Sequence, residues 1–152
     1  MHQQSSTIRA SAEQAIPAPP ETVWDILRDY REAHPAILPK TFERVEVIEG
    51  GYGAGTVALV TVKVGRKRET TTIRVTEPEP GHTMVETIEE KGATATFTVD
   101  PAPGGSRVRM EVEMPASPGV RGELERLFLP AALRRQLRVE LRNLAALASV
   151  RA

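Results

Sequence analysis

The chain has no cysteine among its 152 residues. That excludes disulfides, thiolate metal sites and a cysteine nucleophile. It also lacks an excess of charge: 20 Lys and Arg balance 20 Asp and Glu, and the sequence pI is about 6.9. Nucleic-acid binders draw much of their affinity from neutralising phosphates with a basic surplus, so nucleic acid is not an expected partner. No apolar run approaches the roughly 20 residues needed to span a bilayer, and no integral membrane association is expected. The start, Met1-His-Gln-Gln-Ser-Ser6, has no basic stretch followed by an apolar segment, so no signal peptide is read there and the cytoplasm is the default location. Three histidines are scattered without Glu-x-x-His or His-Glu-x-x-His spacing, so neither a metal nor another cofactor is expected. Gly-x-Ser-x-Gly is absent too, which leaves a serine hydrolase unsupported.

What remains is an ordinary globular composition, 40% hydrophobic and 26% charged, long enough to bury a core. Residues 1–6 read as a flexible tail and 7–150 as a single domain, without repeats or linkers. A weakly alternating strand from Thr7 ends at Pro17, Pro19 and Pro20, because proline cannot donate to a ladder. Pro20 suits the first turn of a helix, and Val23, Ile26, Leu27 and Tyr30 follow at helical spacing. Pro35 and Pro39 confine the next segment to a short helix or turn around His34.

Beyond it the period changes to two. Strands are predicted from Val45, over Thr56–Val64, Lys67–Thr76, Thr83–Glu89, Ala93–Val99 and Arg107–Met114, with turns at the Gly and Pro clusters between them. In the last, Val108, Met110, Val112 and Met114 share one face while Arg107, Arg109, Glu111 and Glu113 share the other, as a half-buried strand requires. Val120–Val150 reads as a long helix with a stripe of Leu133, Leu137, Leu141, Leu144 and Ala148. Leu124, Leu127 and Phe128 form a second apolar patch, and Pro130 predicts a kink or break.

The stretch Ile16–Tyr30, the glycine-rich Gly50–Thr56 and the order strand, two short helices, six strands, long helix resemble the START/Bet v1-like helix-grip superfamily (SRPBCC), in its polyketide cyclase/dehydratase and lipid-transport branch. The resemblance covers about residues 7 to 149. It implies an α+β fold in which a curved antiparallel sheet of about seven strands wraps a long C-terminal helix. It further implies a cavity between sheet and helix for a small hydrophobic molecule such as a lipid or polyketide. Some members of this superfamily carry ligands, while others cyclise or dehydrate a polyketide chain. The superfamily shares no catalytic signature that could be transferred residue by residue, and fold alone does not decide function.

Candidate residues follow from side-chain chemistry. His34 can act as acid or base, or simply serve a turn; His82 is expected at the surface and His2 in the tail. Glu86, between Met84 and Ile88, enters the apolar face or the solvated one, and periodicity does not separate the two. Trp24, Tyr30, Met84, Phe97, Met110 and Phe128 are candidate cavity walls or plain core. Arg134, Arg138 and Arg142 form a ladder that could receive an anion or lie solvated, with Glu140 as nearby balance. The loop Gly50–Thr56 lacks the Gly-Lys-Ser/Thr ending of a phosphate loop and is expected to be a tight hairpin. Three functions stay open: an apolar-ligand carrier, an acid–base cyclase or dehydratase, and an interaction module with a closed cavity. The oligomeric state is not legible.

Overall fold

A computed structural model describes residues 7–151; the expected tail and His2 lie outside the described residues. The chain begins with β1 (Thr7–Ile16), α1 (Pro20–Arg28) and α2 (Ala33–Ile37). Six strands follow: β2 (Phe42–Glu49), β3 (Val57–Val64), β4 (Lys67–Glu79), β5 (Thr83–Ile88), β6 (Ala93–Ala102) and β7 (Gly105–Pro115). A turn of 3-10 helix at Glu89–Lys91 separates β5 from β6, and α3 (Gly119–Arg151) closes the fold. The strands form one antiparallel sheet in the order β1-β7-β6-β5-β4-β3-β2. This is the helix-grip arrangement, with the long helix laid against a curved sheet.

Pro20 opens α1, where its missing N–H leaves no helix bond unmade. Val23, Ile26 and Leu27 are then fully buried against sheet and α3. Along α3, Leu137, Leu141, Leu144 and Ala148 are buried, with Leu133 half-buried beside them. Burying each leucine contributes roughly 1.5–3 kcal/mol, and this stripe fastens the helix to the sheet. The side-chain amide of Asn143 also donates to the Ile37 carbonyl (3.0 Å), tying α3 to α2.

Three prolines behave differently from the sequence expectation. Helix α3 runs through Pro130 without a break. Proline there removes one bond, to the Arg126 carbonyl, and Arg126 and Leu127 are exposed, so water can satisfy that group. Strand β4 continues past Thr76 to include Pro78, at a register shift between Thr76 and Glu79 that needs no ladder bond. Strand β6 likewise extends through Pro101, which shortens the expected turn to Pro103 and Gly104.

Residues Gly50–Thr56 form a loop clamped to the end of α1. The Tyr30 N–H donates to the Gly51 carbonyl (2.9 Å) and the Gly53 N–H to the Arg28 carbonyl (2.8 Å). Gly53 adopts φ +64°, and a Cβ there would collide with the Glu77 carboxylate and the Arg28 guanidinium, which pair at 3.3 Å. The glycines let backbone approach backbone, and the loop holds the start of the Tyr30–His34 segment in place.

Candidate functional site

A cavity of about 580 Å³ lies between the concave face of the sheet and α3. Its size falls within the range of small-molecule sites. Val60 and Ile73 from the sheet, Phe97 and Met110 beyond them, and Leu133 and Leu137 from α3 give it an apolar wall. Charged residues at its exposed edge are paired: Lys91 with Glu69 (2.7 Å) and Arg121 with Glu125 (3.4 Å).

The register decides the orientation of Glu86. It sits opposite Val75 on β4 and Ala95 on β6, and Ala95 in turn faces Val112, which faces Ala10. This row runs across the concave face, and Glu86 is its single charged member. The carboxylate therefore reaches the cavity, whereas Thr87, next to it on the same strand, points outward and is exposed. An unpaired carboxylate is costly in apolar surroundings, so its partners matter.

Those partners come from the turn between α1 and α2. The Asp29 carboxylate accepts the backbone N–H groups of Arg31 and Glu32 at 3.1 Å and of Ala33 at 3.3 Å. Its carbonyl accepts the His34 N–H at 2.8 Å. The turn fixed in this way buries Tyr30 and His34 side by side, their rings stacked with centroids 4.6 Å apart. The Tyr30 hydroxyl donates to Glu86 Oε2 at 2.6 Å. His34 Nδ1 lies 2.6 Å from the Leu27 carbonyl, which can only accept, so Nδ1 carries the proton of that bond. Nε2 then points toward Glu86 Oε2, 3.7 Å away, while the ring edge meets Phe97.

The fourth member is Glu140 on α3. It is only 7% exposed, lines the cavity and has no hydrogen-bond or ion-pair partner among the described residues. Burial, with the Glu86 charge adding to it, pushes its carboxyl up to about 8. Burial, again reinforced by Glu86, also holds the Tyr30 phenol well above its ordinary value, so Tyr30 remains a donor at neutral pH.

Tyr30, His34, Glu86, Phe97 and Met110 thus all border the cavity. Trp24 and Met84 belong to the packed core instead; Met84 lies under the cluster, its sulfur 3.9 Å from the Tyr30 hydroxyl. Phe128 is 64% exposed, on the outer face of α3 with Leu124 and Leu127. His82 stays at the surface, 2.8 Å from Asp100. Arg138 and Arg142 are exposed and border a shallow depression beside Glu13 of β1. Glu140 was expected to balance this arginine ladder, but the structure turns it inward. The signal was available: position 140 lies three residues after Leu137 and four before Leu144, on the apolar stripe itself.

Fold and cavity together define a helix-grip domain with an apolar-walled cavity between the sheet and α3. The chain belongs to the polyketide cyclase/dehydrase and lipid-transport family, whose sequence profile matches residues 7–149. Among solved structures it is similar to the KanY protein, with 29% identity, a TM-score of 0.82, and coverage of 94% of this chain and 98% of that one. It is also similar to the di-domain ARO/CYC StfQ from the steffimycin biosynthetic pathway, at 16% identity and TM-score 0.76, covering 95% of this chain and 51% of StfQ. The Bet v1-like Ara h 8.0201 shares the fold at 16% identity and TM-score 0.66, over 95% of this chain and 99% of that one. No curated protein sequence matches the chain. Among the described residues no helix is long and apolar enough to cross a membrane.

Proposed function

We propose that the protein binds a small, mostly apolar molecule, lipid- or polyketide-like, in the cavity between the sheet and α3. The observation that carries this reading is the cavity itself: about 580 Å³ with an apolar wall and polar side chains gathered at one region. Apolar burial supplies the affinity, at about 25 cal/mol per Å² removed from water. Tyr30, His34, Glu86 and Glu140 orient the ligand, Phe97 and Met110 pack against it, and Trp24 and Met84 support the wall from behind. Native mass spectrometry on freshly purified protein tests this. A discrete adduct of small-molecule mass is expected, and it should be released on denaturation. Failure to bind any apolar molecule offered after delipidation would refute the reading.

A second reading is an acid–base cyclase or dehydratase working in the same cavity. The convergence of Tyr30, His34, Glu86 and Glu140 favours it, because Glu140 holds a proton near neutral pH and His34 Nε2 is directed at Glu86. Relatedness in fold to an ARO/CYC protein is compatible with this chemistry. His34→Ala then abolishes turnover, whereas under the carrier reading it barely alters apolar-ligand affinity. The interaction-module reading needs a cavity packed shut, and the volume present speaks against it.

A further inference from the structure

The polar region of the cavity is rich in acceptors and poor in donors. Tyr30 commits its hydroxyl proton to Glu86 Oε2, and His34 commits Nδ1 to the Leu27 carbonyl. Glu140 has no partner among the described residues although it is more than nine-tenths buried and faces the cavity. Among the described residues Glu86 receives only the Tyr30 hydroxyl and Glu140 receives no donor, although the Thr71, Thr96 and Gln136 side chains also line the cavity. Elsewhere around the cavity the acidic groups are already matched: Glu69 by Lys91 at 2.7 Å, Glu125 by Arg121 at 3.4 Å and Glu111 by Arg109 at 3.6 Å. Among the described residues no lysine or arginine pairs with Glu86 or Glu140, and His34 Nε2 lies 3.7 Å from Glu86.

We infer that Glu86 and Glu140 form a subsite for a protonated amine carried on an apolar body, so that the preferred ligand is a cationic amphiphile. This rests on the apolar-ligand reading of the cavity and names the polar group that the ligand carries. A primary ammonium supplies three N–H donors to carboxylate oxygens that lack them, and its charge offsets two acidic groups in surroundings of low dielectric. Glu140 is coupled electrostatically to Glu86 on β5 and to Tyr30 in the α1–α2 turn, and His34 on α2 lines the same cavity; the remaining charged lining residues, Glu69, Lys91, Glu111, Arg121 and Glu125, are paired at its edge. Tyr30 stays neutral, and His34 is turned toward Glu86, so neither occupies Glu140. Near neutral pH Glu140 is a carboxylic acid. When the ammonium arrives, the Glu140 O–H bond breaks, its proton leaves to solvent, and a carboxylate–ammonium pair forms. Binding is therefore linked to release of up to one proton.

Three probes of equal chain length separate the possibilities: decylamine and decanoate below their micellar concentrations, and decanol below its solubility limit. Isothermal titration calorimetry near pH 6.5, in buffers of different ionisation enthalpy, reads affinity and proton release together. Decylamine is expected to bind at least about tenfold more tightly than decanol, a difference of about 1.4 kcal/mol. It should release a substantial fraction of a proton, decanol should release none, and decanoate should bind weakest. In Glu140→Gln, an isosteric change, the amine preference and the proton release should both fall while decanol binding persists. Proton release from the unaltered protein gives a readout that does not depend on the variant folding. Equal binding of decanol and decylamine, or an amine preference unchanged in Glu140→Gln, overturns the amine subsite alone. Failure of all three probes to bind overturns the apolar-ligand reading as well.

Discussion

Replacing Glu140 by Gln should stabilise the protein, and by more at high pH than at low. In the unfolded chain the Glu140 carboxyl ionises near 4.5, whereas in the fold it holds its proton to about 8. Below the lower value both states are protonated and pH has no effect through this group. Between the two values the unfolded state binds fewer protons than the folded one, so stability falls as pH rises, by about 1.4 kcal/mol per unit. Above about 8 both states are ionised and the loss is complete. Glutamine removes this linkage while keeping shape and a hydrogen-bonding head. The stability difference between variant and parent should therefore grow by about 3–4 kcal/mol from about pH 5 to about pH 8.

Urea unfolding followed by tryptophan fluorescence measures this directly, since the protein has one tryptophan and Trp24 is buried. Groups that titrate alike in parent and variant cancel in the difference. A difference that stays flat with pH would refute the reasoning: Glu140 would then be ionised in the folded state, and the acceptor-rich description of the cluster would fail with it.

Other predictions concern the parts that hold the site. Tyr30→Phe removes the donor to Glu86 Oε2 and should cost about 1–3 kcal/mol in urea unfolding, because the carboxylate loses its nearest partner. Leu144→Ala empties a fully buried position where α3 meets the sheet, and should lower stability by about 2–5 kcal/mol in the same assay. Gly53→Ala forces a side chain into left-handed backbone at φ +64° and against the Glu77–Arg28 pair. Its backbone strain alone is about 1–2 kcal/mol. Hydrogen exchange should rise at the Ala54 N–H, which donates to Glu77 at 2.8 Å.

The architecture was legible wherever one face of an element is wet and the other dry. Strand β7 declares itself through Val108 and Met110 against Arg107 and Arg109, and α3 through its leucines, because periodicity records burial directly. The prolines were legible in kind but not in consequence. Pro20 starts α1 as its position requires, yet Pro130 leaves α3 unbroken, since Arg126 and Leu127 are exposed and water can satisfy the freed carbonyl. The site was legible only in pieces. Tyr30 and His34 lie in one turn and could be grouped from local sequence, but Glu86 acquires its inward direction from Val75 and Ala95, partners set by register. Glu140 was harder still, since a charge on a long helix reads as solvated unless its place on the apolar stripe outweighs its chemistry. Phe128 is the converse: an aromatic at helical spacing that the fold leaves outside, because residues such as Arg121 and Leu129 take the cavity side of that half of α3.

The central claim is that an apolar molecule enters the cavity beneath α3, and methyl-selective NMR during titration with decanol tests it most directly. Resonances of Met110, Leu133, Leu137, Val60 and Ile73 should shift together, with Leu124, Leu127 and Val150 on the outer surface unmoved. Shifts confined to Leu124 and Leu127, or no shifts at all, would contradict a ligand-binding cavity and point instead to the exposed face of the helix.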